Sequence, residues 1–216
     1  MQRLFIYAVL LATALGLSVL AGQDAAAESG PVGDTCLVSG RLSGEYDPAR
    51  PTLVKEAIVG PGCLVQVREG ELTASEYTRV AGTEPARAES LLASGYVRTR
   101  LRTEHLQVLM VQLDNYLNWS WSGSQVLGYS NSATPATSGC SWDVTDGPYT
   151  WFDTNGLPST IYSYAWAYFE SCYPPDKGWL EPMVWGDYAG GWGYYCDYSI
   201  TLPLGSSVQC IPTQIY

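Results

Sequence analysis

The chain has 216 residues, 46% hydrophobic and 15% charged, with a formal net charge of −10, eight Trp, sixteen Tyr, six Cys and a single His. This length suits one domain or two small ones of roughly 100–200 residues, and the composition excludes a collagen-like, coiled-coil or largely disordered chain. One His also excludes histidine-rich metal sites and paired-histidine catalysis.

Arg3 precedes an apolar run from Leu4 to Leu20, followed by Ala21 and the triplet Ala25 to Ala27. This pattern predicts a secretory signal peptide over residues 1–27, cleaved after Ala21 or Ala27. The run of 17 residues falls short of the ~20 needed to span a bilayer, and Gln23 stands where a lipoprotein would carry its acylated Cys. The expected product is a secreted, extracellular chain without membrane insertion after cleavage. All six cysteines, Cys36, Cys63, Cys140, Cys172, Cys196 and Cys210, lie beyond this segment. An even count in an exported chain predicts three disulfides, and the lack of any Cys-x-x-Cys pair argues against zinc. Sequential pairing is the expected connectivity, because it closes short loops.

Residues 28–105 read as a mixed strand and helix part. Pro61-Gly62 marks a turn into a strand over Cys63 to Arg68, with Cys63, Val65 and Val67 on one face. Thr73 and Glu76 form a capping box, and Thr83, Pro85 and Gly95 bracket a second short helix over Ala86 to Ser94. Beyond Gly95 the period changes to two. Val97, Thr99 and Leu101 alternate with Arg98, Arg100 and Arg102, which places three guanidinium groups on one strand face. Such a face is either an anion site or a means of internal neutralisation, and the second is expected.

Residues 106–216 form an aromatic and acidic β part, expected to build one compact unit with the first. Every Trp lies after residue 111, where nine acidic residues face the single Lys177, a net charge of −8. Nucleic acid and anionic lipid both demand clustered Lys and Arg, so neither is an expected partner. Leu109, Val111, Leu113, Leu117, Trp119 and Trp121 share one parity, broken by Asn115, and Ser122-Gly123-Ser124 turns this strand into Gln125 to Tyr129. Asp146-Gly147-Pro148 and Asn155-Gly156 read as turns. Further strands follow over Ile161 to Cys172, Trp192 to Leu202 and Val208 to Ile215.

Three constellations could carry function. Tyr162, Tyr164, Trp166 and Tyr168 stand on one face of a strand, with Ser163, Ala165 and Ala167 on the other. The expected outcome is that the rings form core, the alternative being an exposed platform that stacks on sugars. Trp192, Tyr194 and Tyr198 share parity with Cys196 and read as core as well. The glycine-rich segment Trp185 to Trp192 is the candidate ligand loop, with Trp185, Tyr188 and Trp192 offering rings and Asp187 a polar partner.

Glu170, Glu181 and Asp187 could supply the carboxylate pair of a glycosidase. Asp143, Asp146 and Asp153 could hold calcium, but their spacing matches no EF-hand and turn chemistry explains them. His105 is the only general base available to a serine hydrolase, and no Gly-x-Ser-x-Gly elbow accompanies it. The sequence therefore assigns no catalytic residue, metal or cofactor.

The stretch Trp119-Ser120-Trp121-Ser122-Gly123-Ser124-Gln125-Val126, followed by Trp-rich strands and paired cysteines, resembles a set of small secreted Cys- and Trp-rich β proteins of high-GC Gram-positive bacteria. Nine Arg against two Lys accord with such a genome. The resemblance spans residues 106–210; it implies origin and a β fold, and no activity is attached to the set. The combined expectation is a mainly β protein, an antiparallel β-sandwich or barrel-like fold stapled by disulfides, with one or two short helices near its start. Its expected role is that of a secreted, non-enzymatic binding or cell-envelope-associated module, with a glycan or cell-wall polymer as ligand. The rivals are a secreted glycoside hydrolase and a purely structural surface protein.

Overall fold

The computed structural model describes residues 28–32, 35–82, 94–138, 141–154, 159–172 and 176–215. Among these, one helix, α1 (Ala74–Ala81), and a single 3-10 turn (Pro61–Cys63) accompany twelve strands. The strands are β1 (Glu28–Val32), β2 (Thr35–Glu45), β3 (Leu53–Val59), β4 (Val65–Glu71), β5 (Ser94–His105), β6 (Val108–Trp121), β7 (Val126–Thr137), β8 (Trp142–Asp153), β9 (Thr160–Ser171), β10 (Lys177–Asp187), β11 (Trp192–Pro203) and β12 (Ser206–Gln214). They form two six-stranded antiparallel sheets. Sheet A runs β1-β2-β11-β10-β9-β8 and sheet B runs β4-β3-β12-β5-β6-β7. The protein is a disulfide-stapled β-sandwich.

Each sheet contributes to one interior. Leu42, Ala165, Phe169, Leu180, Tyr198 and Ile200 of sheet A pack with Ala57, Leu101, Val111, Leu113 and Val208 of sheet B. A second, indole-rich cluster sits at one end, where Trp119, Trp121 and Trp192 meet Val97, Leu117, Ile161 and Val184. Disulfides Cys36–Cys63 and Cys196–Cys210 are buried in the main cluster. Both belong to the expected sequential pairing; of the third pair, Cys140 lies outside the described residues and Cys172 is exposed at the end of β9. No helix among the described residues is long and apolar enough to cross a membrane.

The capping box forms as its residues require. Thr73 Oγ1 accepts from the Glu76 amide at 3.3 Å, and the Glu76 carboxylate accepts from the Thr73 amide at 2.9 Å; Gly82 closes α1 in the left-handed region at φ 71°. The connection from β5 to β6 is the two-residue turn Leu106-Gln107, at φ 50° and 65°, the hairpin geometry that follows the twist of paired strands. The division near residue 105 thus falls inside a hairpin of sheet B, and strands from both parts share both sheets.

Several expectations change. The strand expected from Cys63 begins at Val65, because Cys63 belongs to the preceding turn and reaches Cys36; β4 is an edge strand, so Val67 stays exposed. The second helix falls mostly on residues 83–93, outside the described residues, and Ser94 already belongs to β5. Asp146-Gly147-Pro148 is no turn. It lies within β8, where the register to β9 shifts around a cis Gly147–Pro148 bond, the local bulge that edge strands accommodate. Residues 155–158, which carry the Asn155-Gly156 turn, lie outside the described residues.

Candidate functional site

The partition of β9 has the opposite sense from the one expected. Ser163, Ala165 and Ala167 are buried, while Tyr162, Tyr164, Trp166 and Tyr168 stand half-buried on the outer face of sheet A. The reason lies across the sandwich. Asn115 of β6, fully buried, donates to the Ser163 carbonyl at 2.7 Å and the Pro182 carbonyl at 2.9 Å, and accepts from Ser163 Oγ at 2.9 Å. Contacts this short between a side chain of one sheet and the backbone of the other leave no space for a ring. Small residues on β9 let the sheets close, and the aromatics turn outward.

The register of sheet A extends this face. Trp151 of β8 opposes Tyr164, Tyr149 opposes Trp166, Trp179 of β10 opposes Tyr168, and Trp185 opposes Tyr162. Tyr195 of β11 completes it, across from Met183. Trp151 and Tyr164 stack with centroids 5.2 Å apart and planes 1° apart, Tyr149 and Trp166 at 6.0 Å and 15°, and Trp166 and Tyr168 at 6.4 Å and 30°. Met183 is buried although it lies on this outer side, flanked by Tyr164 and Tyr195. At the β8 edge Tyr149 and Trp151 remain 56% and 41% exposed. Nine aromatic side chains thus form a continuous solvent-facing surface.

Carboxylates interleave with these rings. Asp153 opposes Tyr162 and Asp146 opposes Tyr168, where Asp146 also accepts from the Tyr149 hydroxyl at 2.6 Å. A central row runs from Arg41 of β2 to Asp197 of β11 and on to Glu181 of β10. Arg41 donates to both oxygens of Asp197 at 2.5 Å and lies 4.2 Å over the Tyr195 ring. Glu181 accepts no hydrogen bond and forms no ion pair among the described residues. Burial, and next the charge of Asp197, raise its carboxyl above the usual glutamate range, opposed by Arg41. Burial and a hydrogen bond with Tyr164 push the Tyr195 phenol up.

The expected ligand loop is the β10–β11 hairpin, and it is a packed element. Trp192 is 6% exposed and stacks on Tyr46 at 4.4 Å, so its ring belongs to the core and offers no ligand face. Asp187 Oδ1 accepts from the Ala189 and Gly191 amides, each at 2.8 Å, which fixes the turn. The glycines serve packing instead of ligand approach: a Cβ on Gly190 would come within 2.6 Å of the Trp121 ring, and one on Gly193 within 2.6 Å of Trp185. Trp185 joins the aromatic surface, and Tyr188 is exposed at the tip. Tyr194 and Tyr198 are core, as expected.

Nor does the fold gather the three carboxylates of a glycosidase. Glu170 pairs with Lys177 and Asp187 with Thr160, at opposite ends of the β9–β10 ladder. At about 3.3 Å per residue, Glu181 is roughly 20 Å along its own strand from Asp187 and four residues, about 13 Å, from the Glu170 row, beyond the ~5–10 Å such mechanisms require. Glu181 and Asp197 are opposed, but both oxygens of Asp197 are engaged by Arg41. Among the described residues no three His, Cys, Asp or Glu are grouped to hold a metal.

The arginine face of β5 is covered. Arg98 donates to the Ala81 carbonyl, and Arg100 and Arg102 donate to the Val80 carbonyl at 2.8 and 2.9 Å, so all three close the C-terminus of α1. Asp114 receives Arg100 through two bonds of 2.7 Å, and Glu104 pairs with Arg102. Among the described residues these cations are taken up by helix carbonyls and by Asp114 and Glu104, the internal neutralisation expected of them.

No known family model, curated protein or solved structure matches the chain.

Proposed function

We propose that this protein is an exported, non-enzymatic polysaccharide-binding module whose ligand lies across the outer face of sheet A. One observation carries the reading: nine aromatic side chains face solvent on a sandwich whose interior is already filled. Extended exposed apolar surface marks an interaction site on a soluble protein, and ring faces interspersed with carboxylates and phenols suit the apolar faces and hydroxyl groups of sugars. Two buried disulfides fit an oxidising, extracellular setting. An acidic surface disfavours nucleic acid and anionic lipid.

The test is depletion of the mature protein by a panel of insoluble polymers, including cellulose, chitin, chitosan, β-glucan and peptidoglycan. Retention on at least one is expected, with Trp151→Ala and Tyr149→Ala each weakening it by about 2 kcal/mol, roughly 30-fold, at an unchanged thermal midpoint. No retention on any polymer, or equal retention by both variants, would overturn the proposal.

A further inference from the structure

The same face already holds one cation, and it is the chain's own. Arg41 sits over the Tyr195 ring and against Asp197, a ring-and-carboxylate seat of the kind that binds ammonium and guanidinium groups. Directly across the strand pair, Glu181 repeats half of that arrangement without its own paired cation: it opposes Asp197 in register, and the β9–β10 pairing, which skips Glu181 and Pro182 but keeps the same offset on either side of them, places Trp166 across from it on the other strand. Trp179 stands two residues away on the same face. Among the described residues no Lys or Arg forms an ion pair with Glu181; Arg41 acts on it only through space, from its seat on Asp197.

From this we infer that the ligand is a polycationic amino polysaccharide, a chain of deacetylated glucosamine units whose ammonium group seats against Glu181 among the rings. The inference rests on the polysaccharide-binding reading and narrows it. Charge complementarity carries it: Asp146, Asp153 and Glu181 line the rings, and the nearby Arg41 is already paired with Asp197. An N-acetylated or hydroxylated unit would bring no charge to Glu181, and a uronic acid would be repelled by it.

The experiment compares glucosamine hexamer with N-acetylglucosamine hexamer by titration calorimetry on the mature protein. The deacetylated hexamer is expected to bind at least about tenfold more tightly, with that preference lost in Glu181→Gln and reduced by added salt, which screens exposed charge. The salt series uses the wild-type protein alone, so the inference stays testable if the variant folds poorly. Equal affinity for both hexamers would overturn it while leaving polysaccharide binding in place, as would a preference that survives Glu181→Gln. Equal competition by an oligolysine of the same charge would show that charge suffices and would overturn the amino-sugar assignment. Absence of retention on every polymer of the panel would instead remove the polysaccharide reading itself.

Discussion

The outer faces of the two sheets carry opposite solutions to the same problem. Sheet B presents Arg98, Arg100 and Arg102 and covers them with α1, so that their guanidinium groups meet helix carbonyls and buried carboxylates. On the inner side of α1, Tyr77, Val80 and Ala81 pack on Val54 and Ile211. Sheet A presents rings interleaved with carboxylates, and leaves that face open. Polarity alone therefore does not decide which face a protein hides. A charged face can be closed by its own chain when helix carbonyls and carboxylates take up its guanidinium groups, even with Arg98 Nε and Arg102 Nε left without a partner.

The two disulfides support both faces at once, so their removal should produce the largest change. With sequence separations of 27 and 14, each contributes about 3 kcal/mol by loop closure, against a total of ~5–15 for a typical domain. Denaturant unfolding with and without reductant should show most or all of the stability lost; a loss below about 1 kcal/mol would show that the staples are incidental.

On the covered face, Asp114→Ala leaves Arg100 buried without its carboxylate, and should cost about 3–5 kcal/mol in chemical denaturation. The matching change on the open face, Trp151→Ala, should stay within about 1 kcal/mol. Equal costs for the two would erase the contrast between the faces.

Asn115→Ala should cost about 1–3 kcal/mol, because the Ser163 and Pro182 carbonyls lose a donor in the interior. An unchanged midpoint would mean that the polar bridge does not hold the sheets together.

The smallest expected effect is at Glu181. Its folded pKa is raised, by burial first and Asp197 next, so the native state holds this proton more tightly than the unfolded chain does. Its cost to stability is complete above the folded pKa and disappears as pH falls below the ordinary glutamate value of about 4.3. Glu181→Gln should therefore raise the thermal midpoint slightly at neutral pH and leave it unchanged in acid; the change removes the repulsion from Asp197 together with the weaker attraction to Arg41. A variant less stable at neutral pH would contradict the raised pKa.

The alternation along β5 and β6 was legible because a period of two sorts residues without reference to the rest of the molecule, and the capping box at Thr73 is equally local. The sense of β9 was not. Its partition into rings and small residues is plain in the sequence, but which set faces inward depends on what Asn115 and its neighbours on β6 bring from the other sheet. Asn115, the break in an otherwise apolar parity, was the available signal. Strand β10 is obscured in the sequence, where Pro182 argues against a central strand. Here Pro182 occupies one, between β9 and β11, with its carbonyl engaged by Asn115. Trp185 and Asp187 consequently looked like loop residues, and the β8 rings that widen the surface were hidden behind a bulge read as a turn.

Both buried disulfides cross from one sheet to the other: Cys36 on β2 to the turn before β4, and Cys196 on β11 to Cys210 on β12. Mechanically, the sandwich is two plates riveted once in the middle of their strands, at Cys196–Cys210, and once at a strand end, at Cys36–Cys63. A polymer pulling along the outer face of sheet A loads that plate in shear, and the load passes to sheet B through covalent bonds instead of through side-chain contacts alone. The sheets cannot slide apart without breaking a sulfur–sulfur bond, so the open face can be pulled on while the interior behind it stays closed.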